Sequence, residues 1–123
     1  MLKIVADENI PQIREALAGL GDVTLRHGRA LAREDLAHAD ALLVRSITRV
    51  DAALLEGTTV KFVGSATIGA DHVDQAWLAQ AGIAFTNAPG CNADSVVQYV
   101  FAALMELRRR RGIAWRGATL GIV

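Results

Sequence analysis

The sequence predicts an α/β protein: a five-stranded parallel sheet wound on both faces by helices, followed by the start of a second α/β domain. Three observations predict it. Short apolar runs alternate with helix-like stretches along the chain. The connections between those runs are too long for hairpins, so successive strands cross over and lie parallel. A final, long helical stripe is wider than one packing surface needs, and a new apolar run follows it.

The elements follow in order. Residues 3–6 (KIVA) read as a buried strand and Asp7-Glu8-Asn9 as a polar loop behind it. Pro11 sits where a helix begins, Ile13, Leu17 and Leu20 carry its apolar face, and Gly19 and Gly21 stop it. Residues 23–25 form a short second strand, Asp35, Leu36 and Ala39 a brief helix, and Ala41–Val44 (ALLV) a third strand. Residues 51–55 then read as a short helix, 61–63 as a fourth strand, 71–81 as a helix ended by Gly82, and 83–86 (IAFT) as a fifth strand. This is a flavodoxin-like, doubly wound layout, and its ligands are expected outside the carboxyl ends of the strands.

The longest helix spans residues 93–110, with Val96, Val97, Val100, Phe101, Leu104 and Leu107 recurring at helical spacing. Gly112 ends it, and residues 119–123 (TLGIV) begin another buried strand on which the sequence stops. A natural domain seldom ends inside an apolar strand, so the chain is expected to be truncated. The expected domain boundary lies at this long helix, near residues 93–112.

Composition narrows the functional classes. Of 123 residues, 52% are hydrophobic and 21% charged, which excludes a disordered chain. Thirteen acidic residues balance thirteen basic ones, so no long-range field draws in nucleic acid or an anionic membrane. The run of four arginines at 108–111 reads as a solvated helix end, its cations suited to the C-terminal dipole. A single cysteine, Cys91, excludes an intrachain disulfide. The first residues become charged too early for a signal peptide, and no window reaches the ~20 apolar residues of a membrane span. A cytoplasmic protein is the expectation.

Three loops after strands carry candidate chemistry. In Val44-Arg45-Ser46-Ile47-Thr48, a guanidinium and a hydroxyl at a strand's carboxyl end could hold an anionic oxygen; equally, Ser46 or Thr48 could cap the next helix. In Gly64-Ser65-Ala66-Thr67-Ile68-Gly69-Ala70-Asp71, the glycines let backbone approach a ligand, N–H groups could take a carboxylate or phosphate, and Asp71 is a natural N-cap. In Asn87-Ala88-Pro89-Gly90-Cys91-Asn92, Asn92 or Asp94 could cap the long helix, and Cys91 lacks a nearby base and reads as a small buried residue. His27, His38 and His72 lack metal-ligand spacing and read as surface or interface side chains, so no metal site is expected. Singly each loop is weak. A doubly wound sheet brings all three to one edge, and that strengthens them together.

The segments ADENIP, VRSITRV, KFVGSATIGADHVD and AFTNAPGCNADSVVQYVF together resemble the D-isomer-specific 2-hydroxyacid dehydrogenases, over essentially the whole chain. The resemblance implies a discontinuous substrate domain over 1–92, a crossing helix over 93–112 and then a Rossmann domain for NAD, its first strand in 113–123, with a G-x-G-x-x-G beginning just after Val123. It implies substrate contacts at Ser46 and Thr67, with backbone at Thr67 and Ile68 meeting a carboxylate and Arg45 helping with a phosphate or carboxylate. Asn92 is implied near substrate and Val96 near the nicotinamide. The family's catalytic arginine, glutamate and histidine are expected beyond the chain end, so no catalytic residue is expected here. The complete protein is expected to be a homodimer acting on a small phosphorylated hydroxy acid. Two alternatives stay open: a family member with a different 2-hydroxy acid, and a stand-alone flavodoxin-like binding domain.

Overall fold

The computed structural model of the chain describes residues 1–112 and 114–122. Its strands are β1 (Leu2–Asp7), β2 (Gly21–Arg26), β3 (Ala41–Val44), β4 (Phe62–Ser65) and β5 (Ala84–Thr86). Its α-helices are α1 (Ile13–Ala16), α2 (Ala52–Leu55), α3 (Gln75–Gln80) and α4 (Ala93–Arg111), with a 3₁₀ turn over Arg33–Leu36. All strands pair in parallel in the order β2-β1-β3-β4-β5. This is the five-stranded, doubly wound sheet expected from the alternation of the sequence. The chain forms two compact units, Met1–Pro89 and Gly90–Val123.

In the first unit the central strands are the apolar ones. Ile4, Val5 and Ala6 of β1, Leu42 and Val44 of β3 and Val63 of β4 are buried, as strands covered on both faces require. Leu36, Val50, Leu55, Val73 and Leu78, from the elements between strands, complete the core with them. β2 is an edge strand with half-exposed residues alternating with exposed ones. Gly64 sits where a Cβ would come within 2.6 Å of the Leu43 side chain, so glycine lets β3 and β4 carry their flanking residues together.

Several local expectations are corrected. The first helix stops at Ala16 rather than continuing to Leu20: only Ile13 of it is buried, and one turn with so little cover does not propagate. β4 runs two residues further than expected, since Gly64 and Ser65 pair with Leu43 and Val44. α3 begins at Gln75 and not at Asp71. Residues 72–74 are instead held to Val50, whose N–H donates to the His72 carbonyl while the Asp74 N–H donates to the Val50 carbonyl, both at 2.8 Å. Such a bridge demands extended backbone, so the helix waits for Asp74, whose carboxylate accepts the Trp77 N–H at 3.0 Å.

In the second unit α4 runs to Arg111, and Gly112 ends it in the left-handed conformation (φ 63°), its N–H bonded to the Arg108 carbonyl. Asn92 occupies the N-cap position without a side-chain bond to the helix, so neither Asn92 nor Asp94 caps it. The strand expected over 119–123 is absent over 119–122. A strand exists only where a neighbour completes its ladder, and those residues pair with none. Ile113 and Val123, which the expected third segment includes, lie outside the described residues.

Candidate functional site

Because every strand runs the same way, the carboxyl ends of β1, β3, β4 and β5 share one edge, and the loops beginning at Glu8, Arg45, Ala66 and Asn87 share it too. The order of strands reverses between β1 and β3, the switch point at which ligand sites of such sheets form.

At that point the loop after β3 is fixed from below. Asp7, at the end of β1 and 1% exposed, accepts the Arg45 Nε–H at 3.0 Å, and its other oxygen accepts the Asn9 N–H at 2.9 Å. The terminal guanidinium nitrogens of Arg45 meet no acceptor among the described residues. Thr48 is buried and donates to the Gly28 carbonyl at 2.9 Å. Gly28 in turn admits no side chain, because a Cβ there would collide with the Asp7 carboxylate and lie 2.9 Å from Thr48 Oγ1. Thr48 is therefore a strut between loops. The cap of α2 is Asp51, whose Oδ1 accepts the Leu54 N–H at 3.3 Å, so neither Ser46 nor Thr48 has that role.

The loop after β4 is tied on both sides. The Val50 bridge joins it to the loop after β3. On the other side Asn87 Nδ2 donates to the Ile68 carbonyl at 2.7 Å, and the Ala88 N–H to the Thr67 carbonyl at 3.2 Å. The carbonyls of Thr67 and Ile68 are thus spent on structure. The N–H groups of Thr67, Ile68 and Gly69 meet no acceptor among the described residues, so this turn offers donors.

Ser46, Thr67, Gly69, Asp71 and His72 line a cleft of about 470 Å³, inside the ~300–1,000 Å³ typical of small-ligand sites. The structure thereby brings together Ser46 and Thr67, two of the residues singled out in the sequence. Ile68 is exposed on the same turn, and Arg45 turns toward Asp7. Asn92 and Val96 belong to the second unit, where Val96 is half exposed on α4.

Sequence reasoning missed Ser65 and His72. Ser65, 5% exposed, lies 2.7 Å from Thr67 Oγ1 and 2.9 Å from His72 Nε2. Burial holds the His72 pKa below its ordinary value, and the neighbouring Asp71 charge opposes that shift. Spacing alone carried no signal for the pair: a serine at a strand's carboxyl end and a histidine seven residues on meet only because the turn between them is tied back by the Val50 bridge and by Asn87. Cys91 is exposed, and not the small buried residue expected.

Among the described residues no group of three His, Cys, Asp or Glu side chains could hold a metal, and no helix is long and apolar enough to cross a membrane. G-x-G-x-x-G, which would cradle the phosphates of a dinucleotide, does not occur in the 123 residues.

The family model of the D-isomer specific 2-hydroxyacid dehydrogenase, catalytic domain, matches residues 2–119, and the chain belongs to that family. Within it the chain is similar to erythronate-4-phosphate dehydrogenases. It is 59% identical over 122 residues to those of Klebsiella pneumoniae (strain 342) and Sodalis glossinidius (strain morsitans), covering 99% of this chain and 32% of each relative. The chain thus spans about a third of the length of the relatives it matches. Among solved structures it is similar to the NAD+-bound 3-phosphoglycerate dehydrogenase of Entamoeba histolytica, with a TM-score of 0.67 and 27% identity over 98% of this chain and 42% of that one. The D-lactate dehydrogenase of Aquifex aeolicus, complexed with NAD and lactic acid, shares the fold at 20% identity and a TM-score of 0.66, over 88% of this chain and 34% of that one.

Proposed function

We propose that this chain is the substrate-binding part of an NAD-dependent oxidoreductase that converts 4-phospho-D-erythronate to its 2-oxo acid, a step of pyridoxal phosphate biosynthesis. The observation that carries the reading is the cleft between the loops after β3 and β4, lined by Ser46, Thr67, Gly69, Asp71 and His72. Ser46 and Thr67 present hydroxyls there, and the Thr67–Gly69 turn presents N–H groups with no internal acceptor. Such donors suit an anionic oxygen, although the Asp71 carboxylate in the same lining opposes an anion. The 59% identity to erythronate-4-phosphate dehydrogenases supports the substrate.

In this reading the turn at Thr67 and Ile68 holds the substrate carboxylate, Ser46 bonds an adjacent oxygen, and Arg45 offers its free guanidinium edge to carboxylate or phosphate. Asn92 approaches the substrate, and Val96 offers an apolar wall to the nicotinamide. NAD bound in a complete enzyme would supply the acceptor for the hydride lost from C2. The proton-transferring groups and the phosphate cradle of the cofactor belong to other parts of a complete enzyme, which we take to be a cytoplasmic homodimer. The domain division follows the same reading: a substrate domain over 1–92, a crossing helix over 93–112, and the start of a cofactor domain over 113–123.

The test is a chimaera in which this segment replaces the first third of the Klebsiella pneumoniae relative. It should form NADH from 4-phospho-D-erythronate, whereas the 123-residue chain alone should form none. Thr67→Ala and Ser46→Ala in the chimaera should each raise KM about ten- to a hundredfold, the worth of a hydrogen bond to a charged group, and leave NAD binding unchanged. Unaltered kinetics in both variants would return the cleft to a structural role. Equal turnover of 3-phosphoglycerate would move the chain to a different substrate within the family.

A further inference from the structure

Three contacts run in a row from His72. Its Nε2 lies 2.9 Å from Ser65 Oγ, Ser65 Oγ lies 2.7 Å from Thr67 Oγ1, and Thr67 Oγ1 lies 3.2 Å from the Gly69 carbonyl oxygen. A carbonyl only accepts, so Thr67 uses its single proton on Gly69. Ser65 must then donate to Thr67, and His72 must donate to Ser65 through an Nε2–H. No other placement of protons satisfies all three contacts. Ser65 is buried, which leaves solvent little room to substitute for a missing partner.

The geometry points to His72 as a positioning residue: acting through Ser65, it fixes the Thr67 hydroxyl as a donor toward the anionic group of the substrate. The inference rests on the substrate role proposed for Thr67. The bond from Thr67 to Gly69 is the longest of the three and beyond the usual O–H···O distance. It is the one that yields when a closer, charged oxygen enters the cleft. Thr67 then turns its proton to the ligand while still accepting from Ser65, and the N–H groups of Thr67, Ile68 and Gly69 add donors of the same sense. The opposite imidazole tautomer, protonated on Nδ1, would reverse the row. Ser65 would donate to His72, Thr67 to Ser65, and Thr67 would face the substrate with a lone pair that repels an anion.

The tautomer is measurable in this chain directly. Ring nitrogen-15 NMR at a pH where His72 is neutral should show the proton on Nε2. A neutral ring protonated on Nδ1 would end the proposal. In the chimaera, His72→Phe removes the donor and His72→Gln keeps an N–H. The first should raise the KM for 4-phospho-D-erythronate about fivefold, the net worth of one neutral hydrogen bond, with kcat and the KM for NAD unmoved. The second should recover most of the loss. With Thr67→Val already present, His72→Phe should add nothing, because the row has no terminal donor left to orient. Thr67→Val without effect on KM would remove the substrate reading itself, and the role of His72 with it. If Thr67→Val raises KM while His72→Phe is silent or simply additive, the substrate reading stands and the positioning role falls.

Discussion

Leu78 and Phe101 occupy helices that look alike in sequence, each with apolar residues at helical spacing, and their surroundings are opposite. Leu78 on α3 is 1% exposed within the core of the first unit, whereas Phe101 on α4 is 59% exposed, with Val96, Val97 and Val100 uncovered beside it. An apolar stripe records a need for cover and does not say what supplies it. In the first unit the sheet supplies it. In the second, Val96, Val97, Val100, Phe101 and Leu104 line a recess together with residues 120–122 of the same unit.

The largest expected effect tests that contrast. Leu42→Ala or Leu78→Ala should destabilise the chain by about 2–5 kcal/mol, the cost of truncating a fully buried leucine. Phe101→Ala should change the same transition by less than about 0.5 kcal/mol, as an uncovered side chain does. Chemical denaturation of the three variants checks this. A loss for Phe101→Ala close to that for Leu78→Ala would mean that the stripe is covered in solution and the contrast is void.

The second effect, smaller, sharpens the comparison within the polar edge of the sheet. Asp7 is buried and Arg45 is 30% exposed, so the two ends of their ion pair are not equivalent. Removing the arginine strands a buried carboxylate; neutralising the aspartate frees an arginine that reaches water. Arg45→Met should therefore cost about 2 kcal/mol, the penalty of an unsatisfied buried acceptor, and Asp7→Asn about 1 kcal/mol, the net worth of one hydrogen bond. Equal losses measured by thermal unfolding would show the pair to be solvated at both ends.

How much of this was legible in sequence depends on what fixes each feature. The strands were, because KIVA and ALLV are apolar runs bounded by polar residues, and burial on both faces needs nothing more. The start of α3 was not. Asp71 and Asp74 are both good caps, and the choice between them is made by Val50, over twenty residues earlier, pulling residues 72–74 into a bridge. The hydroxyls of the cleft were legible as residue types in loops after strands. The Ser65–His72 contact was not, since it depends on that bridge and on the Asn87 tie to Ile68. Local pattern writes the elements, and long-range hydrogen bonds decide where they start and which side chains meet.

The smallest expected effect is a pH dependence at that contact. His72 has its pKa lowered chiefly by burial, against the opposing charge of Asp71. A base whose pKa is lower folded than unfolded binds fewer protons in the native state, so between the two values stability rises with pH. The contribution is complete above the ordinary value of 6.5, declines as pH falls below it, and levels off once pH is under the folded value. Because the ring is only partly buried, solvent screens much of the effect and the expected slope is shallow. Asp35, its pKa lowered by Arg26, loses its contribution only in the carboxylate range, so the two windows separate. Denaturation midpoints of the chain and of His72→Gln, measured from pH 7.5 to 5, should diverge only below about 6.5, with the variant flatter. A variant that tracks the parent across the whole range would show the imidazole to be solvated. The first unit would then be closed in its apolar core and open along this part of its polar edge.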